Sequence, residues 1–209
     1  GIAVDSSGNV YVTGFYNSTS IVSLGTGVNL PISALNDVFI VKYDTSGTAQ
    51  WATRIVSSWY DQGKSIAVDS SGNVYVTGQY YSQTTVSLGN NITLPDTHGL
   101  TAFDVFVVKY DTSGTAQWAS RMAQSTVNDS GFGIAVDSSG NVYVTGQYNS
   151  ISTVSLGNGI TLPASSGDDV LTIKFDTSGT AQWATRIPGT GADYGYGIAV
   201  DSSGNVYVT

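Results

Sequence analysis

The apolar positions of this chain fall in short runs separated by small polar segments. In Ile2-Ala-Val-Asp-Ser-Ser-Gly-Asn-Val-Tyr-Val-Thr13, two strand-forming runs flank an Asp-Ser-Ser-Gly turn with the acceptor side chain first and glycine fourth. The block predicts a hairpin with strands over Ile2 to Asp5 and Val10 to Thr13. Further on, Asp37-Val-Phe-Ile-Val-Lys-Tyr43 is apolar on both faces, as a strand covered on both sides must be. Its turn, Asp44-Thr-Ser-Gly47, leads into Gln50 to Ile55 and predicts a second hairpin. Nothing in the pattern calls for a helix.

The first block returns unchanged at Ile66, Ile134 and Ile198, with offsets of 64 (66−2), 68 (134−66) and 64 (198−134). Asp44-Thr-Ser-Gly-Thr-Ala-Gln-Trp-Ala52 returns at Asp111 and Asp176. A fixed period with two invariant blocks marks a repeat architecture. Four antiparallel strands per period form a sheet that must stack on its neighbours to bury both faces, which is the construction of a β-propeller blade. The units are expected at 1–65, 66–133 and 134–197, with 198–209 as the first hairpin of a fourth, so the reading is of an incomplete segment of a larger all-β propeller.

Three stretches carry a family resemblance: Gly133 to Gly146, Asp104 to Asp111 and Asp193-Tyr-Gly-Tyr-Gly-Ile198. They resemble the bacterial SBBP β-propeller repeat. The first hairpin is also similar to that of NHL repeats, and Asp-Thr-Ser-Gly-Thr-Ala-Gln-Trp to the tryptophan motif of quinoprotein propellers. The resemblance implies a scaffold whose strands run from innermost to outermost in chain order, with the two Asp-led turns on one face and the longer connections on the other. The second-to-third connections span 14–36, 78–103 and 146–168 and differ between repeats, so their face is the expected binding face. Within them, Ile21 to Leu30, Thr85 to Leu94 and Thr153 to Leu162 recur and predict a small extra hairpin.

Charge and composition then remove function classes. The net charge is −8 and every acidic residue is Asp, which suits turns and not helices. Seven Lys and Arg, scattered along the chain, form no basic stripe, so nucleic acid is a poor partner. No run of about 18 apolar residues points to membrane insertion. Without cysteine there is no disulfide, thiol nucleophile or vicinal pair for a quinone cofactor, and no cofactor is expected. Asn17, Asn91 and Asn128 fit the N-glycosylation pattern.

Repeated residues read first as structure. Trp51, Trp118 and Trp183 suit packing anchors between units. Lys42, Lys109 and Lys174, with Arg54, Arg121 and Arg186, are read as partners of Asp37, Asp104 or Asp169 in preference to an anion site. The Asp5-type turns offer one carboxylate followed by neutral groups, which makes calcium the weaker reading.

Non-repeated residues carry the functional signal. Trp59, Tyr60, Tyr80, Tyr81, Tyr148, Tyr194 and Tyr196 fall on or near the variable connections, where rings stack on sugars or grip a protein loop, or else cover gaps under loops. His98 is the only histidine and lacks a motif partner, while Asp168 and Asp169 are adjacent and point to opposite faces of a strand. The expected function is a non-enzymatic scaffold for binding or structure, extracellular or on the cell surface. Its expected partners are a protein or glycan surface, the remainder of a longer propeller chain, or further copies of itself. A lectin-like propeller, an architectural component of a surface layer, appendage or virion, and a polysaccharide-cleaving enzyme using Asp96 and Asp168 are the alternatives.

Overall fold

Each invariant block folds as its turn chemistry dictates. The structure, a computed structural model, describes residues 1–97, 102–122 and 127–209. In the first unit, β1 (Ile2–Val4) and β2 (Val10–Ser18) form the first hairpin. The small hairpin β3 (Val22–Ser23) and β4 (Asn29–Leu30) follows, then β5 (Ser33–Tyr43) and β6 (Ala49–Ile55). The second unit repeats this with β7 (Gln62–Val68), β8 (Val74–Tyr80), β9 (Val86–Ser87), β10 (Thr93–Leu94), β11 (Asp104–Tyr110) and β12 (Ala116–Met122). The third has β13 (Ser130–Val136), β14 (Val142–Tyr148), β15 (Val154–Ser155), β16 (Thr161–Leu162), β17 (Asp169–Phe175) and β18 (Ala181–Ile187). A last hairpin joins β19 (Ile198–Val200) to β20 (Val206–Val208).

Every large sheet is antiparallel with its strands in chain order, β1-β2-β5-β6 and its two equivalents. This is the four-stranded propeller blade, and the described sheets close into no ring. Two strand limits differ from the sequence pattern. β7 and β13 start before Ile66 and Ile134, and the second strands run on to Ser18, Tyr80 and Tyr148, so part of each supposed connection is ladder.

Alternation sorts each blade into two faces. Tyr75, Val105, Val107 and Met122 of the second blade pack with Val142, Val144, Leu171 and Ile173 of the third. Val74, Val76, Phe106 and Val108 face Tyr11, Val38, Ile40 and Ile55 of the first. The small hairpins add Val86 and Leu94 to one core and Val154 and Leu162 to the other. Each hairpin tip is tied to the start of the outermost strand. Thr26 Oγ1 donates to the Ala49 carbonyl at 3.0 Å and Asn90 Nδ2 to that of Ala116 at 2.9 Å.

The tryptophans join consecutive blades. Trp51 donates its indole N–H to the Thr112 carbonyl at 2.9 Å, and Trp118 to that of Thr177 at 3.0 Å. In both cases the ring lies on the glycine of the next Asp-Thr-Ser-Gly turn, Gly114 or Gly179, where any Cβ would strike the indole. Ile187 is 56% exposed, whereas Ile55 and Met122, at the same blade position, are completely buried by the following blade.

One core position shows a polar mismatch. The Tyr110 hydroxyl is buried without a hydrogen-bond partner among the described residues, and Phe175 fills the equivalent place in the third blade. An orphaned buried hydroxyl costs about 1–3 kcal/mol. Tyr110→Phe is therefore expected to raise the urea midpoint of the chain, by about 1 kcal/mol in stability; a lower midpoint would contradict this account.

Candidate functional site

The invariant turns are self-contained. Asp5 Oδ1 accepts the backbone N–H groups of Ser7 and Asn9 at 2.9 Å, while Oδ2 accepts Asn9 Nδ2 at 2.8 Å and the Tyr11 hydroxyl at 2.9 Å. Burial opposes the charged form, but these donors outweigh it and hold Asp5, Asp69 and Asp137 below the usual carboxylate range. With two donors on each oxygen, the lone pairs a calcium ion would need are already committed. Among the described residues no group of three His, Cys, Asp or Glu side chains is placed to hold a metal ion.

The repeated cations divide into two kinds. Arg54 pairs with Asp37 at 2.9 Å, Arg121 with Asp104 at 3.5 Å and Arg186 with Asp169, as the sequence suggests. The lysines do not join them. Lys42, Lys109 and Lys174 stand over the rings of Tyr11, Tyr75 and Tyr143 at 5.3–5.4 Å. The cross-strand register explains the difference, because Tyr75, Lys109 and Trp118 form one row on one blade face, away from Asp104. Each ammonium thereby reaches the polar groove between consecutive Asp-Ser-Ser-Gly turns, such as the 220 Å³ cavity lined by Asp69, Lys109, Ser138 and Ser139.

Of the aromatic candidates, two are corrected. Tyr80 and Tyr148 are completely buried, and their hydroxyls donate to the Pro95 and Pro163 carbonyls at 2.8 and 2.9 Å. As the last residues of second strands they point into the blade cores and offer a ligand nothing. His98 lies outside the described residues.

The remaining candidates converge in two clusters. At the first, Trp59 from the linker between β6 and β7 meets Tyr60 edge-on at 5.7 Å and Tyr81, just past β8, at 6.2 Å. Tyr81 in turn meets Phe103, just before β11, at 6.4 Å. Trp59, Tyr81, Phe103 and Gln83 line a cavity of 310 Å³ on the face of the long connections. Trp59 is 51% and Tyr60 40% exposed, whereas Tyr81 is nearly buried and forms the back wall. Behind it the carboxylate of Asp61, itself fully buried, accepts the Ser57 hydroxyl at 2.6 Å and the Tyr81 N–H at 3.2 Å on Oδ1, and Oδ2 has no partner among the described residues. Burial pushes the Asp61 carboxyl up to about 7. In the third blade Tyr81 and Phe103 are replaced by Asn149 and Asp168, which hydrogen-bond to each other at 2.8 Å, so the aromatic walls are particular to the second of these two blades. Phe103 and Gln83 are not recognisable from composition; aligning the repeats on Asp104 and Asp169 is the signal that finds Phe103.

The second cluster lies at the inner edge, where β1, β7, β13 and β19 run side by side. Tyr196 stacks near Phe132 at 5.2 Å and Tyr194 at 5.9 Å, and the Tyr194 hydroxyl donates to Asp168 at 3.4 Å. Asp168 is thus occupied by Asn149 and Tyr194, while Asp169 is buried against Arg186; the neighbouring carboxylates do not cooperate as an acid–base pair.

The family model of SBBP, a β-propeller repeat, matches residues 50–79, 117–150 and 182–209. The uncharacterized WD repeat-containing protein L264 of Acanthamoeba polyphaga mimivirus is 31% identical over 156 residues, covering 71% of this chain and 11% of that protein. The regulatory protein FlaEY of Caulobacter vibrioides is 30% identical over 152 residues, covering 73% of this chain and 15% of that protein. The chain spans a small part of the length of both relatives. Each family match begins on an outermost strand and continues through the innermost hairpin of the next blade, so each carries one of Trp51, Trp118 and Trp183 and the chain junction between two blades. The chain is therefore built of SBBP β-propeller repeats.

Proposed function

We propose that this chain is a non-enzymatic interaction module that holds a protein partner through the Trp59, Tyr81 and Phe103 cavity on its variable face, in a secreted or surface-exposed protein. The cavity carries the reading. It is apolar, open and rimmed by an exposed tryptophan, and its Tyr81 and Phe103 walls give way to Asn149 and Asp168 in the third blade. Such a pocket accepts a large apolar side chain and supplies the aromatic anchor that dominates interface energy. The WD-repeat name of the viral relative is in keeping with this reading.

A glycan ligand is the second reading, favoured by rings set edge to face beside the Gln83 amide, which donates to the Tyr81 hydroxyl at 3.3 Å. Selection from a displayed random peptide library and a glycan array, run in parallel, separates the two. Peptides with an aromatic or long aliphatic residue are expected to bind, and Trp59→Ala to weaken them by about 2 kcal/mol, roughly thirtyfold. Glycan binding alone, lost in the same variant, would replace the first reading with the second. Binding of neither class, or binding indifferent to Trp59→Ala, overturns the site. Antibody labelling of intact cells tests the proposed location.

A further inference from the structure

The innermost strands each carry one irregularity. The ladder between β7 and β8 shifts register between Gly63 and Ser65, and that between β13 and β14 between Gly131 and Gly133. The residue left over at each bulge is Lys64 or Phe132, and the equivalent position before β19 is Tyr196. A bulge re-aims the side chain it frees. Close packing fixes it in place. A Cβ on Gly63, Gly131 or Gly195 would overlap the hydroxyl of Thr13, Thr77 or Thr145 in the preceding blade. The glycine before the bulge and the Ile-Ala-Val after it are common to all three repeats, so the scaffold holds still a position whose side chain differs, as do those at Gln62, Ser130 and Tyr194.

The three freed side chains meet. Lys64 Nζ lies 4.5 Å from the centre of the Phe132 ring, and Phe132 packs with Tyr196 at 5.2 Å and Tyr194 at 6.2 Å. Tyr196 is 64% exposed. Lys64 is half-buried, makes no hydrogen bond or ion pair among the described residues, and burial pulls its pKa below the usual lysine value. A ring face compensates an ammonium only in part, and its three donors remain unused. Asp168, which Tyr194 touches, accepts hydrogen bonds from Asn149 and Tyr194.

We propose that the bulge residues Lys64, Phe132 and Tyr196 form a second binding site, separate from the Trp59 cavity, for an acidic peptide segment in which a carboxylate adjoins an aromatic side chain. The carboxylate pairs with Lys64 and the ring lies on Phe132 and Tyr196. Charge complementarity selects this occupant, because the unpaired cation stands at the edge of an exposed aromatic surface.

The test is titration of the isotope-labelled chain with acetyl-Glu-Phe-amide, its neutral counterpart acetyl-Gln-Phe-amide, and acetate. Saturable amide shifts at Ser65, Gly131, Gly133 and Gly197 are expected with the acidic dipeptide, and roughly fivefold weaker binding of the neutral one, the ratio a screened ion pair gives. Lys64→Met keeps the stem and is expected to abolish the preference; Tyr196→Ser, at an exposed position, is expected to weaken both dipeptides. Equal binding of the two dipeptides, a preference that survives Lys64→Met, shifts confined to the Trp59 cavity, or acetate binding as well as the dipeptide would each overturn the proposal.

Discussion

Gly146→Ala is expected to cost the chain about 3 kcal/mol or more, a large lowering of its urea midpoint. The backbone of Gly146 is not in the left-handed region, so alanine is acceptable there on conformational grounds. The obstacle is the bulge. Gly146 pairs with Gly131, and a Cβ on Gly146 would overlap the carbonyl oxygen of Ser130 and press on the Gly131 backbone. Backbone cannot turn aside as a side chain can, so relief requires breaking the inner ladder. Gly78 faces Gln62 in the same way, and Gly78→Ala is expected to behave alike. Urea melts followed by tryptophan fluorescence should place Gly146→Ala and Gly78→Ala well below the parent chain; parent-like midpoints for both would refute the steric account of the bulge.

The second large effect is on pH dependence. The Asp61 carboxyl titrates at about 7 in the folded chain because it is fully buried with one oxygen unpartnered, whereas in the unfolded chain it titrates near the ordinary 3.8. Between those values the folded state holds a proton that the unfolded state has lost, so stability falls as pH rises from about 4 to about 7 and stays at the lower level above that. At about 1.4 kcal/mol per pH unit, Asp61 alone accounts for at most about 4 kcal/mol. Asp37 and Asp104, also pushed up by burial although each faces an arginine, contribute in the same direction. The turn carboxylates Asp5, Asp69 and Asp137 are held low and act oppositely, giving stability that is lost only as pH drops below about 4. Asp61→Asn copies the protonated acid. Its stability should match the parent at about pH 3, exceed it increasingly from about pH 4 to about pH 7, and exceed it by a constant amount above that. A constant difference from about pH 4 to about pH 7 would show that Asp61 titrates normally.

Asp61 also ties this titration to the proposed cavity, because its Oδ1 accepts the Tyr81 backbone N–H. Ionisation of Asp61 puts a buried charge directly behind the wall on which a partner would rest. Binding at the Trp59 rim measured alongside the melts would register this coupling as weaker affinity at high pH, an effect removed in Asp61→Asn.

The repeat period, the two hairpins of each blade, the small hairpins of the connections and the tryptophan anchors were all legible along the chain. Each rests on contiguous residues: an Asp and a Gly at fixed offsets set a turn, alternation sets a strand, and Trp51 has only to be repeated to be recognised as packing. Contact between residues far apart was not legible. Tyr80 and Tyr81 are neighbours in sequence, yet one is a buried post bonded to Pro95 and the other a cavity wall, because the second strand continues to Tyr80 and ends there. Lys109 and Arg121 both looked like partners for Asp104, and only the strand register put the lysine on a tyrosine ring. Phe103 joined Trp59, and Lys64 joined Phe132, only when one blade was laid against the next. The sequence by itself determined the blade, because hydrogen-bonded turns and alternating strands are local. The tertiary structure alone decided which variable side chains share a surface, because that depends on the stacking of blades whose contacting residues lie some 60 positions apart, 61 for Trp51 and Thr112.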